Sequence, residues 1–321
     1  MSVNPEGGRP HTGVRADNVR AHAREPADYL SGVSLDTSEC SRLSPDGICS
    51  TDAVRNILDM VVASAPEGRA PEGRATTVAA AAAVLGCDSE SCVVTHTRTQ
   101  KIARDLKLEG VLKKEIALRF KPAGPRNGTA LLSNVHIDAV LRQWADEFAT
   151  FYACPFAMAD FDTDGDELGR VKLDELRSGR YRTFGCVMNT DVSSGPGTHW
   201  VAIFVDMRPA PGGPEPWTVE YFNSAGRPPA RAVVRWMERQ RAALLLARAG
   251  ALEGAPGPVE TWAVTSVAHQ RSQTECGNYA LFYIRRRLEG VTPQVFMEGG
   301  SRIPDSAMVK FRQYLFRARD P

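Results

Sequence analysis

The stretch on which the fold turns is "AHQRSQTECGNYALFYIRRR", residues 268 to 287: a polar run ends in Cys276-Gly277 and becomes an apolar repeat at helical spacing. A thiol at such a junction has two readings. In the structural one it is a small buried residue under a helix start. In the chemical one it faces unpaired N–H groups and the positive end of a helix dipole, which lower its pKa and make it a nucleophile. The residues upstream choose between them.

Two segments before it, "HWVAIFVDM" (199–207) and "WTVEYFNS" (217–224), alternate like strands and are rich in β-branched and aromatic side chains. The Pro/Gly loop "RPAPGGPEP" (208–216) separates them. As antiparallel neighbours centred on that loop, Val205 faces Trp217, Val201 faces Tyr221 and His199 faces Asn223. Cysteine, histidine and asparagine form a nucleophilic set: imidazole takes the thiol proton, and an amide oxygen accepts from the other ring nitrogen and fixes the tautomer. Gln270, six residues before Cys276, can offer its side-chain N–H to an oxyanion together with the Cys276 backbone N–H. Gln273 is a rival donor, and His269 a rival base that lacks a strand partner.

Composition bounds the alternatives. The 321 residues are 43% hydrophobic and 24% charged, with a formal net charge of +1, so no bulk electrostatics favour nucleic acid or anionic lipid. No apolar run approaches the roughly 20 residues that span a bilayer, and the N-terminus lacks the apolar core of a secretory signal. Seven cysteines, an odd number spread widely, predict reduced thiols and an intracellular compartment. No metal is expected. "DFDTDGDELGRV" (160–171) begins like a calcium loop but ends in Val171 where a bidentate Glu is needed, and reads instead as a strand and a solvated turn. Cys87, Cys92 and His96 fit no standard zinc spacing. "RRR" (285–287) complements a helix C-terminus.

The chain divides near residue 120. Residues 1–35 are polar and Arg-rich, a flexible N-terminal segment. Residues 36–120 read as a helical arm: "STDAVRNILDMVVASA" (50–65) is amphipathic, "ATTVAAAAAVLG" (75–86) closes on Gly86, and "TRTQKIARDL" (97–106) approaches a third helix. The tandem "APEGRAPEGRA" (65–75) is a local low-complexity loop. "KPAGPRNG" (121–128) cannot continue a helix and marks the start of a domain over 121–321. There "LLSNVHIDAVLRQWADEFATF" (131–151) has a capped helix pattern, a polar helix follows near 229–249, and "ETWAVTSVA" (260–268) reads as a further strand. The fold class is α+β, with strands clustered centrally and helices around them.

The ordered motifs "THW", "YFNS" and "HQRSQTECGNYALFYI" resemble the His-Trp, Asp/Asn, Gln and Cys-Gly series of the ubiquitin-like-protein-specific proteases and the adenovirus proteinase. "LLSNVHID", "PFAMADFD" and "SRIPDSAMVKFRQYLF" are most similar to the polyprotein-protease branch in large DNA viruses, African swine fever virus among them. The resemblance covers roughly 120–321 and implies a papain-like, adenain-type core with a central mixed sheet flanked by helices, preceded by a helical arm. It implies a cofactor-free cysteine endopeptidase that cleaves Gly-Gly-X sites in viral structural polyproteins during virion maturation, acting on capsid or core scaffolds in the host cytoplasm and the virion. Catalytic roles fall on His199, Asn223, Cys276 and Gln270. Trp200 roofs a tunnel for small residues, with Leu131 where the family usually has Trp, and Asn134 beside it in the opening motif. The alternatives are a deconjugase for a ubiquitin-like modifier and a catalytically silent scaffold-binding module.

Overall fold

In a computed structural model, residues 39–41, 47–65, 76–163, 165–209, 216–249, 257–298 and 302–317 are described. The expected flexible segment 1–35, nearly all of the tandem loop and the centre of the 208–216 loop lie outside them.

Among the described residues, five helices lie before residue 121: α1 (Asp52–Ala63), α2 (Thr77–Leu85), α3 (Glu90–Thr95), α4 (Thr97–Asp105) and α5 (Glu109–Arg119). The spacing in α1 acts as expected, burying Val54, Ile57, Leu58 and Val61. Helix α2 is capped by the Thr76 hydroxyl and ends on Gly86 at φ 70°, the left-handed region that glycine enters without a Cβ penalty. These helices close around their own apolar cluster, which also contains Cys40, Cys49 and Phe120. Here the expectation of reduced thiols fails: Cys40–Cys49 and Cys87–Cys92 are disulfides, leaving Cys154, Cys186 and Cys276 as thiols. An odd count obscures pairs that are local, nine and five residues apart, whose partners the helix packing brings together. The Cys87–Cys92 bond also removes any zinc reading, and the His96 imidazole accepts from the Arg98 N–H as a helix cap.

The segment from 121 onward is bonded on both sides: Lys121 N–H donates to the Glu39 carbonyl, and Arg317 N–H donates to the Pro122 carbonyl. Helix α6 (Asn134–Glu147) starts in a capping box from Ser133, and its Gln143 amide donates to the carbonyls of Ala117 and Phe120 at the end of α5.

A mixed five-stranded sheet follows, in order β1 (Phe151–Ala153), β2 (Thr183–Asn189), β3 (Trp200–Asp206), β4 (Trp217–Phe222), β5 (Val259–Val264). The two outer pairs are parallel and the two inner pairs antiparallel. One face packs on α6, α10 (Cys276–Leu288) and α11 (Asp305–Leu315), and the other on α9 (Arg231–Ala249). Between β1 and β2, α7 (Glu167–Arg170) and α8 (Leu173–Ser178) are short. The expected strand at 160–162 is a turn, with Phe161 buried and Asp160 accepting from the N–H and hydroxyl of Ser193. Strand β5 is also shorter than expected, and 265–275 is irregular.

The β3–β4 register differs from the expected one by two residues: Val205 pairs with Val219 and Ile203 with Tyr221. A two-residue slip preserves which side chains share a face. His199 and Asn223 therefore still meet, as diagonal neighbours beyond the ends of their strands. Strand β2 carries no clear sequence signal because Gly185 interrupts its run of strand formers; its burial is shared with β3 and β4. That glycine has a steric cause, since a Cβ there would lie 2.9 Å from the Phe151 ring.

The "RRR" run is not a solvated patch. Arg285 pairs with Glu147 and Glu289, Arg286 with Glu289, and Arg287 with Asp206 and Glu220. Glu220, fully buried in β4, accepts from Arg287 Nη2 at 2.7 Å and Nε at 2.8 Å, from Tyr283 at 2.6 Å, and from Thr218. Arg287→Met strands that carboxylate and should cost about 3–5 kcal/mol in urea unfolding. Adding Glu220→Gln should recover part of the loss, because the buried group is then neutral.

Candidate active site

Helix α10 begins at Cys276 itself, and the strand ends deliver His199 and Asn223 opposite it. Cys276, His199 and Trp200 line one cleft of about 580 Å³ together with Leu131, Leu132, Ser133, Asn134, Phe156 and Met158. His199 Nε2 lies 2.9 Å from Asn223 Oδ1. An amide oxygen only accepts, so Nε2 carries the proton and Nδ1 is left as the basic nitrogen. The Asn223 amide is itself fixed: its Oδ1 also accepts from Ala225 N–H at 2.9 Å, and its Nδ2 donates to the Tyr221 hydroxyl at 3.1 Å. Sequence reasoning missed Tyr221. The signal was available, since Tyr221 and Asn223 are two apart on one strand and so share a face.

Electrostatics make the resting pair neutral. Burial pushes the Cys276 thiol above its ordinary value of 9.0, against the pull of the backbone N–H groups of Trp200, Gly277 and Cys276 that point at the sulfur; Glu275 pushes it further up. The dipole argument from sequence accounts for the Gly277 and Cys276 donors but not for Trp200 on β3, and it loses to desolvation. Burial likewise holds His199 below 6.5, with Arg227 acting the same way and the Asn223 bond opposing. Thiol and imidazole share the cleft without a direct hydrogen bond between them among the described contacts, a spacing common before substrate enters.

Trp200 is buried and its indole N–H donates to the Leu132 carbonyl at 2.9 Å. Leu131 is 57% exposed at the rim, and Asn134 is exposed at the start of α6 with its side chain accepting from Val135 N–H. Gln270 is half-buried beside the site: Oε1 accepts from the Ser224 hydroxyl at 2.8 Å, and one Nε2–H goes to the Ser272 carbonyl at 2.9 Å. It does not line the cleft, and Gln273 is exposed. His269 is excluded as a base: fully buried, it donates from Nε2 to the Phe296 carbonyl and accepts at Nδ1 from Ile303 N–H, and burial first, then Arg302, lower its pKa to about 4. No described helix is long and apolar enough to cross a membrane.

The comparisons place the chain among cysteine proteases. A profile of the Ulp1 protease family, C-terminal catalytic domain, matches residues 186–320. The chain is 46% identical over 246 residues to a cysteine protease of African swine fever virus (isolate Tick/Malawi/Lil 20-1/1983), covering 73% of this chain and 84% of that protein. It is 24% identical over 206 residues to a protein of Acanthamoeba polyphaga mimivirus named "Putative thiol protease", covering 64% and 62%. The crystal structure of the African swine fever virus protease superimposes with a TM-score of 0.69 at 38% identity, covering 90% of this chain and 99% of that one. With the fold and the length of a protease matched in this way, and Cys276 present at the head of its helix, the chain belongs to the Ulp1 family of cysteine proteases.

Proposed function

We propose that this protease is an endopeptidase acting on Gly-Gly-X sites in viral structural polyproteins, with His199, Asn223 and Cys276 as its triad. The observation that carries the reading is the 2.9 Å contact of His199 Nε2 with Asn223 Oδ1, His199 itself lining the cleft that also holds Cys276. In this mechanism His199 Nδ1 takes the Cys276 proton as sulfur attacks the scissile carbonyl, and later gives it to the leaving amine. Asn223 keeps Nε2 protonated and the ring oriented. The Cys276 backbone N–H and the remaining Nε2–H of Gln270 stabilise the tetrahedral oxyanion.

The Trp200–Leu132 closure supports a preference for residues without side chains beside the scissile bond, because little besides a bare backbone passes under an indole bonded across the cleft. Capsid or core scaffolds processed during virion maturation, in the host cytoplasm and the virion, are the substrates that suit this preference. One relative, from the Pig/Kenya/KEN-50/1950 isolate of African swine fever virus, is called a SUMO-1 cysteine protease, and removal of a ubiquitin-like modifier is the second reading. We take residues 36–120 as an arm and 121–321 as the catalytic domain, on the support of the arm's separate apolar cluster.

The experiment is a matched set of Gly-Gly-X peptides and an intact ubiquitin-like fusion. Cleavage of the peptides after the second Gly is expected, and cleavage of the fusion alone would favour deconjugation. Cys276→Ala should abolish turnover with the melting temperature kept. His199→Ala should lose about 10²–10⁴-fold in kcat, and Asn223→Ala less. Gln270→Ala should lower kcat by about 10²-fold with KM little changed; the same loss in Gln273→Ala instead would move the donor.

The pH profile follows from the sign of the His199 shift. A lowered imidazole pKa keeps the base neutral to lower pH, so kcat/KM should fall on acidification through a value below 6.5. Asn223→Asp should stay active and move that limb upward, because a carboxylate stabilises the imidazolium.

A further inference from the structure

The wall of the cleft and the flank of the nucleophile are tied by one side chain. Arg312, on α11, donates from Nη1 to the Ala130 carbonyl at 2.6 Å, and its Nη2 lies 3.3 Å from Glu275 Oε2 and 3.4 Å from Oε1. Both charged groups are buried, at 6% and 3% side-chain exposure. Ala130 immediately precedes Leu131 and Leu132, which line the cleft, and Glu275 immediately precedes Cys276.

The segment 130–132 is held at three further points, one of them the bond of Ala130 N–H to the Asn127 carbonyl at 3.3 Å within its own turn. Leu132 gives its carbonyl to the Trp200 indole at 2.9 Å. Its side chain rests on Gly277, where an added Cβ would approach Leu132 at 3.1 Å. Without the Arg312 bond to the Ala130 carbonyl, the wall keeps its inner contacts but loses its outer anchor. On the other side, Glu275 also accepts from the Thr274 hydroxyl at 3.0 Å and from the Asn278 amide. Hydrogen bonds alone leave a buried anion beside the thiol, and only a cation cancels its field.

We propose that Arg312 is a positioning residue of this protease: one guanidinium on α11 anchors the substrate-facing wall at Ala130 and neutralises the carboxylate next to the nucleophile, coupling the shape of the cleft to the reactivity of the thiol. A lysine could serve the second task but not both, since a single ammonium lacks the rigid fork that reaches two acceptors in different directions. The wall half of the proposal rests on this cleft being the peptide-binding site. The charge half does not.

The other charges near the thiol are accounted for. His199 faces it from the head of β3, and Arg227 acts on His199 from beyond β4. On the Glu275 side, Tyr279 lies one turn along α10 and bonds to Asp305, with Arg302 acting on it. Neither Asp305 nor Arg302 forms an ion pair with Glu275 among the described residues, which leaves Arg312 as its cationic partner.

The test separates the two halves. In Arg312→Lys, KM for a peptide that the wild type cleaves should rise by about fivefold or more, with kcat within about twofold. The pH profile of Cys276 alkylation by iodoacetamide, followed by mass spectrometry without substrate, should stay put, because the charge pair survives. In Glu275→Gln the alkylation profile should move to lower pH. Arg312→Met/Glu275→Gln, which strands no buried charge, should show the raised KM if the lysine variant folds poorly. Circular dichroism and melting temperatures establish which variants are folded. A folded Arg312→Lys or double variant with wild-type KM, or a Glu275→Gln profile that does not move, overturns the proposal. If the wild type cleaves some peptide other than Gly-Gly-X, the substrate reading fails, while KM is read on that peptide and this test stands.

Discussion

An ionised carboxylate with no exposure to water cannot exist without a cation and a full set of donors, and Glu220 sits in that condition in the middle of β4. Arg287 answers it with two nitrogens and Tyr283 with a hydroxyl, both from the last two turns of α10. The constraint is therefore geometric as much as energetic. Once the C-terminal end of α10 is bolted to the central strands, thirteen residues of helix, about 20 Å at 1.5 Å per residue, carry its first residue to the opposite end of the sheet. That is where β3 begins and β4 ends, and where His199 and Asn223 wait for Cys276. Arg208 extends the bolt, reaching the carbonyls of Arg287 and Leu288. The first residue of α10 inherits its placement from the charge cluster that fixes the helix's other end.

Much of this was legible in residues 199–288, because each step used a local rule with a single outcome. Alternation exposed β3 and β4, the loop between them set an antiparallel pair, and face parity survived a register that was two residues off. The Cys-Gly helix start placed the nucleophile. What stayed hidden was whatever depends on distance or on a residue that breaks a pattern. Strand β2 is buried as β3 and β4 are, but Gly185 within it makes it look like a turn. The three arginines looked like a dipole complement because their partners, Glu147, Asp206 and Glu220, come from other elements. The disulfides were missed for a different reason: a count of seven says nothing about which six, four or none are neighbours.

The site residues themselves divide in the same way. His199, Asn223 and Cys276 are near strand and helix ends, which sequence locates well. Gln270 and Gln273 are in an irregular loop, where no periodicity says which side chain turns inward, and the structure gives Gln270 partners in Ser224 and Ser272. The neutral state of the thiol is likewise beyond sequence reading. A helix start lowers a thiol pKa and burial raises it, and only the packing of Leu132 and Trp200 around the sulfur shows that burial prevails.

That neutrality has a consequence outside proteolysis. Peroxide oxidises thiolates far faster than thiols, and the ladder from sulfenic to irreversible sulfinic and sulfonic acids starts from the charged form. A cysteine protease that stores its nucleophile as a resting ion pair keeps its most oxidisable state permanently on display. Here burial beside Trp200 opposes ionisation of the sulfur, and the two remaining thiols, Cys154 and Cys186, are wholly buried. The same desolvation that slows the nucleophile at rest also disfavours the thiolate that peroxide attacks.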